Sequence, residues 1–284
     1  MTDQSARRAT ASSVPTDPWG QPPDHPSIDR DEVHVWQASL LLDADTIGAL
    51  RDTLSPDERD RADRFHFRRH RDQFTAARGI LRSIIGRYLA IAPELIRFDH
   101  GEHGKPALAV RLDSPGGLRF NLSHADGVAL VAFTRHREIG VDVERIREDA
   151  STLEIAERFF SAGEVSALRE VQQARRAEAF FNCWTRKEAY IKALGAGLSH
   201  DLGGFTVSVG TEAALLHVNE PAMSGTWTLV SMMPTPGYVG AVAVSGAIRE
   251  MHTWRVPWHR REVARSVADA DQLRLARMTC ATRR

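Results

Sequence analysis

The sequence predicts an α+β protein built from two similar α/β halves around a shared cleft, and three observations carry that expectation. Apolar periodicity runs helices, strands, helices, strands along the chain. At 284 residues and 42% hydrophobic content, the protein can bury a large core divided between two units. The stretches that break the pattern lie at the ends, so the expected division is a disordered leader over 1–30, halves over 31–143 and 144–248, and an Arg-rich extension over 249–284. No residue-level repeat joins the halves.

The leader is rich in Ser, Asp and Pro, and Pro15, Pro18, Pro22, Pro23 and Pro26 deny it any period. Val33–Ser39 reads as a strand and Asp43–Leu54 as a short helix. Ser55-Pro56-Asp57-Glu58 then combines an N-cap serine, proline at the first helical position and a glutamate able to close a capping box. The helix opened there is expected to run through Arg59, Arg61, Arg64, Phe65, Arg68 and Arg69. It is either a solvated face paired with Asp57, Asp60 and Asp63 or a surface for phosphate or an acidic protein. A second helix, Asp72–Ala90, turns Phe74, Ala77, Leu81, Ile84, Ile85 and Leu89 to a core.

Strands are expected at Ala107–Val110, Leu118–Leu122, Val128–Thr134 and Ile139–Val143, with three polar interruptions. Gly104-Lys105-Pro106 sets a lysine in a constrained turn. Asn121-Leu122-Ser123-His124 puts a hydroxyl and an imidazole at a strand end. Asp142 and Glu144 are two apart, so in an extended chain they share a face, where they repel unless a cation is shared. Mg²⁺ suits such a pair, since it takes one or two carboxylates and completes its shell with water and phosphate.

Helices follow at Ser151–Phe160 and Ala162–Ala174, with possible capping boxes at Ser151 and Glu154 and at Ser161 and Glu164. Phe180–Leu198 is the most informative helix. Phe181, Trp184, Glu188 and Ile191 fall on one face, so a carboxylate stands in an apolar stripe; Lys192 follows one turn later, and Gly195 and Gly197 stop the helix. Strands at Phe205–Val209, Ala214–Val218, Trp227–Met232 and Tyr238–Val244 complete the second half, and a further helix is expected at Arg260–Met278.

Composition narrows the function. Basic and acidic residues balance at 37 each, which gives no global field toward nucleic acid or membrane. Cys183 and Cys280 are far apart and read as reduced thiols of a cytoplasmic protein. No apolar run approaches the ~20 residues of a membrane span, and the first residues lack the apolar segment of a secretory signal.

Together, GKP at 104–106, FNLSH at 120–124, GVDVE at 140–144, the FFS…E run at 159–164 and WxxKEAxxKxxG at 184–195 resemble the 4′-phosphopantetheinyl transferase superfamily, in the right order. The length, and SPDERDRADRF near the start, resemble its double-length, surfactin-type branch. The resemblance covers about 33–244. It implies the superfamily's fold, two half-domains in a pseudo-twofold arrangement with the active site between them. It implies transfer of the phosphopantetheine arm of coenzyme A to a serine of an apo acyl or peptidyl carrier protein, with release of adenosine 3′,5′-bisphosphate. Asp142, Glu144 and Glu188 would hold Mg²⁺ or Mn²⁺, and Lys192 would stabilise the leaving phosphate. By similarity Arg61, Lys105, Ser123, His124 and Lys192 would hold coenzyme A, and either Glu188 or a water on the metal would take the serine proton. Glu58 departs from the branch, which often has lysine there, and Glu164 matches an acidic family position. Two fused halves can enclose the cleft in one chain, so a monomer is expected, with no nucleic-acid or membrane partner. The competing readings are a catalytically inactive binder of carrier proteins or nucleotides on the same fold, and a nucleic-acid module using Arg59–Arg71 and the C-terminal arginines, which leaves the acids unexplained.

Overall fold

A computed structural model describes residues 19–101, 104–109, 117–148, 151–195, 201–218, 225–255, 257–259 and 263. The first half contains β1 (Glu32–Ser39), α1 (Ala44–Asp52), α2 (Pro56–Asp63), α3 (Arg68–Leu89), β2 (Phe98–His100), β3 (Pro106–Leu108), β4 (Leu118–Ala125) and β5 (Val128–Arg135). The second contains β6 (Ile139–Arg145), α4 (Thr152–Phe159), α5 (Ala162–Glu170), α6 (Gln173–Leu194), β7 (Phe205–Val207), β8 (Leu215–Val218), β9 (Trp227–Met232) and β10 (Tyr238–Ser245), after which β11 (Glu250–Arg255) returns to the first.

Two sheets form the centre. One has the order β11-β1-β5-β4, with β11 parallel to β1 and the other pairs antiparallel; the other has the antiparallel order β6-β10-β9. Strand alternation decides what lies between them. Val33 and Val35 of β1, Leu130 and Ala132 of β5, Ile139, Val141 and Val143 of β6, and Val242 and Val244 of β10 meet in one apolar layer. The alternate residues face outward, where each sheet meets a long helix. Trp36, Val131 and Phe133 pack with Ile80, Leu81 and Ile84 of α3. Ala241 and Ala243 pack with Tyr190 and Ala193 of α6. The molecule is thus layered helix, sheet, sheet, helix, and its α+β class follows from period-two strands carrying two outer helices.

Local chemistry fixes the first helices. Asp43 caps α1 by accepting from the Thr46 amide at 2.8 Å. Ser55 and Glu58 form the expected capping box on α2. Glu58 also has a larger role: its carboxylate, only 4% exposed, accepts from Arg78 Nε at 2.7 Å and Arg82 Nε at 2.6 Å. Arg82 donates onward to the carbonyls of Pro93 and Ile96, so this cluster ties α2, α3 and the following turn together.

Several expectations need correction. The basic helix from Pro56 ends at Asp63, and Arg68 and Arg69 open α3 instead. The halves do not divide at 143, because β6 pairs with β10 and belongs wholly to the second sheet. The expected leader reaches too far. Gly20 bridges to Trp254 and Ile28 is buried in the first core, while 1–18 lie outside the described residues. Nor is 249–284 a mere extension: β11 completes the first sheet, and Trp254 and Trp258 are buried in its core. The helix expected at 260–278 lies outside the described residues apart from 263, as do Gly197 and Cys280.

Candidate active site

Gly140 determines how β6 meets α6. A Cβ there would stand 2.0 Å from the Ala189 carbonyl oxygen and 2.4 Å from the Ala193 amide nitrogen, so only glycine lets helix and strand backbones touch. That contact sets Asp142 and Glu144, on the same face of β6, against the side of α6 that carries Glu188 and Lys192. Val143 points the other way, into the layer between the sheets.

β4 closes the arrangement without pairing to β6. The Asn121 side-chain oxygen accepts from the Val141 amide at 2.9 Å, taking the place of a strand neighbour. Two residues on, the Ser123 hydroxyl donates to Asp142 Oδ1 at 2.8 Å. Lys192 Nζ donates to the same Oδ1 at 2.6 Å and to the Ser123 oxygen at 3.0 Å. Asp142 is buried, and its other oxygen, Oδ2, has no hydrogen-bond partner. A buried carboxylate oxygen without a donor is costly, and it asks for a cation or a proton.

The neighbouring acids report the same excess of negative charge. Burial, and after it the Asp142 charge, pushes Glu144 up to about 7, against the weaker pull of Arg147 and Lys192. Glu188 is raised by burial and by Asp142, with Lys192 opposing. Three carboxyl groups face Lys192, and Arg147 stands 3.9 Å from Glu144. Their oxygens are not gathered into a closed cage, since among the described residues the only three-residue group of ligand atoms within 4.8 Å of one another is Glu32, His34 and His252. An open set of hard oxygen donors, one of them orphaned, fits Mg²⁺, which uses few protein ligands and takes the rest from phosphate and water.

The other expected residues are dispersed around this centre. His124, beyond Ser123 on β4, is exposed at its edge; desolvation, and then the Lys192 ammonium, holds its pKa below the ordinary histidine value. Lys105 donates to the carbonyls of Ile139 at 3.1 Å and Ala193 at 3.3 Å, pinning the start of β6 to the end of α6, and burial lowers its pKa. It lines a cavity of ≈ 570 Å³ with Arg119, Phe120, Glu138 and Gly195, a volume suited to a small-molecule ligand. Gly195 caps α6 at that wall in the left-handed conformation, φ 70°. Arg61 lies on α2, its guanidinium 5.3 Å from the Phe74 ring.

Two roles were not legible in the motifs. Lys187, beside Glu188, is fully buried and binds both oxygens of Glu164, at 2.7 and 2.8 Å, and the Phe205 carbonyl at 2.7 Å. Glu164 accepts in addition from the amides of Ser161 and Val207, so its place is structural. Asn121 was visible only as part of FNLSH; an amide side chain two residues before the serine is the signal that could have marked a strand-joining contact.

Comparison with known proteins meets this geometry. A family model described as the 4′-phosphopantetheinyl transferase superfamily matches residues 138–241, and one described as 4′-phosphopantetheinyl transferase, N-terminal, matches residues 43–136. The two matches abut where the chain passes from the first sheet to the second. The 4′-phosphopantetheinyl transferase HetI of Nostoc sp. is 40% identical over 228 residues, 80% of this chain and 94% of that protein. The 4′-phosphopantetheinyl transferase Sfp of Bacillus subtilis is 30% identical over 192 residues, 68% of this chain and 82% of that protein. A putative 4′-phosphopantetheinyl transferase of Synechocystis sp. is 34% identical over 150 residues, 52% of this chain and 60% of that protein.

Proposed function

The chain belongs to the 4′-phosphopantetheinyl transferase superfamily, and from that premise we propose how its own residues carry out the transfer of phosphopantetheine to a carrier protein. Coenzyme A is the donor, a serine hydroxyl of an apo acyl or peptidyl carrier is the acceptor, and adenosine 3′,5′-bisphosphate leaves. One P–O bond forms at the serine oxygen, the P–O bond to the nucleotide phosphate breaks, and the serine proton passes to a base. The observation that carries this reading is the buried, unpartnered Oδ2 of Asp142 among three carboxyl groups and one lysine.

Asp142, Glu144 and Glu188 would hold Mg²⁺. When bound, the ion would neutralise the pyrophosphate and the charge that grows on it as the bond breaks. Ser123 and Lys192 hold Asp142 Oδ1 and leave Oδ2 without a hydrogen-bond partner. Glu188, its affinity for a proton raised by burial, is suited to take the serine proton. Lys192 remains beside the acids as the cation that meets the leaving phosphate. Lys105, on the cavity wall, and with it His124 and Arg61 are assigned to the nucleotide end of coenzyme A, whereas Ser123, expected to join them, has its hydroxyl engaged by Asp142 and Lys192.

The two halves are taken as a pseudo-twofold pair with the active site where they meet. Two features support this: each outer sheet face carries one helix of 22 residues, and the acid cluster draws on β4 from one half and β6 and α6 from the other. With both halves in one chain, the working unit is a monomer. Among the described residues no helix is long and apolar enough to cross a membrane, and a cytoplasmic enzyme is the reading adopted.

Intact mass spectrometry tests the reaction directly. An apo carrier incubated with the protein, coenzyme A and Mg²⁺ should gain ~340 Da, the mass of the transferred arm, and should not do so in EDTA. Glu188→Gln should remove the gain while leaving the thermal transition intact. Wild-type turnover in that variant would sink the assignment of Glu188.

A further inference from the structure

The first sheet carries a second cluster, on the face turned toward α3 and away from the acids. Parallel pairing of β1 with β11 sets His34 opposite His252 and Glu32 opposite Glu250. Glu32 and His34 are two apart on one strand, so all three side chains of Glu32, His34 and His252 rise from the same face. One ligand atom from each lies within 4.8 Å of the others. We propose that Glu32, His34 and His252 bind a divalent transition ion, zinc by the chemistry of the donors, which fastens β11 to β1.

His34 is the strongest argument. Its side chain is 1% exposed, and its Nε2 is buried with no hydrogen-bond partner. The other ring nitrogen, Nδ1, lies 2.7 Å from the Tyr88 hydroxyl, which itself accepts from Trp36 Nε1 at 3.0 Å. The ring is therefore fixed by its far side. Nε2 stands 3.6 Å from Glu32 Oε2. That is too long for a hydrogen bond, but close to the ~3.4 Å edge of a tetrahedron whose centre lies about 2.1 Å from each ligand.

The surroundings orient the other two. Arg249 Nη2 donates to Glu32 Oε1 at 3.1 Å, and the Asp29 amide donates to Oε2 at 2.9 Å. Glu250 Oε1 lies 3.3 Å from His252 Nε2, so a second carboxylate stands beside this imidazole. Two imidazoles and one carboxylate select against Mg²⁺ and Ca²⁺, which want oxygen, and leave a fourth position for water on a tetrahedral ion. His252 is 38% exposed, so an ion has a way in. The consequence is structural: the last strand of the first sheet would be clamped to its first.

The test uses the untagged full chain, stripped with EDTA and then freed of chelator. Zn²⁺ titrated by calorimetry should bind with one equivalent per chain, and Co²⁺ should give the intense visible bands of a four-coordinate site. His252→Ala and Glu32→Gln should each weaken binding at least about 100-fold, and Arg249→Ala about 10-fold, as expected for an outer contact. Zn²⁺ should raise the Tm of the wild type and not of His252→Ala, whose magnesium-dependent activity stays unchanged. No stoichiometric Zn²⁺ binding, or binding that survives both His252→Ala and Glu32→Gln but is lost in Asp142→Asn, would overturn the site.

Discussion

Lys187 and Glu188 are neighbours in sequence, yet the two faces of α6 they occupy treat charge in opposite ways. Lys187 and Glu164 are both fully buried, and every oxygen of Glu164 is met by an ammonium or an amide. Glu188 faces Asp142 with Lys192 as the nearby cation, and one Asp142 oxygen has no donor. The first cluster closes on itself and can only be structural. The second has a surplus of negative charge that the protein does not neutralise, which is how a site for a cationic or phosphate-bearing ligand differs from a core ion pair.

The sharpest way to break that contrast is Lys187→Met. It leaves Glu164 charged, buried and short of its cation, and should cost about 3–5 kcal/mol of stability. The denaturant midpoint should fall, while kcat per folded molecule at low temperature stays near wild type. Glu188→Gln should do the reverse. A Lys187→Met protein of normal stability would mean that the two faces are not different in kind.

Next in size is a dependence on pH. Glu144 titrates near 7 in the folded chain against 4.5 ordinarily, chiefly through burial. Because the folded state holds this proton more tightly, the stability it contributes is full below pH 4.5 and is lost as pH rises through 7. The loss is at most about 3 kcal/mol, less where solvent screens the group. In EDTA the Tm should therefore decline over that window, Glu144→Gln should lack this decline, and Mg²⁺ should restore stability at the upper end by favouring the ionised form. Equal slopes for wild type and Glu144→Gln would remove the surplus-charge account.

Much of this is legible in the sequence. Strand alternation gave the β1, β5, β6 and β10 cores, and spacing alone put Asp142 with Glu144 and Glu188 with Lys192. What sequence could not supply was which charged residues close on one another across the fold. Glu58 reads as a capping residue and an outlier, but Arg78 and Arg82 reach it from α3. Lys187 stands in the same motif as Glu188, and only the approach of Glu164 and Phe205 separates their roles. Residues 249–284 read in sequence only as an Arg-rich extension, whereas the parallel pairing of β11 with β1 is a long-range contact with no local signature.

The smallest effect tests the finest distinction, whether Ser123 grips coenzyme A or positions Asp142. Its hydroxyl already donates to Asp142 Oδ1 and accepts from Lys192, so both of its strong bonds point into the acid cluster. Removing it in Ser123→Ala leaves the Lys192–Asp142 contact of 2.6 Å in place. The expected cost is about 1 kcal/mol, a fall in kcat of about 5- to 10-fold. KM for coenzyme A should stay within about twofold, because an oriented carboxylate affects the transition state more than ground-state binding. Ser123→Thr, which keeps the hydroxyl, should recover most of the rate. A raised KM with unchanged kcat would move Ser123 to the phosphates and leave Lys192 as the residue that orients Asp142.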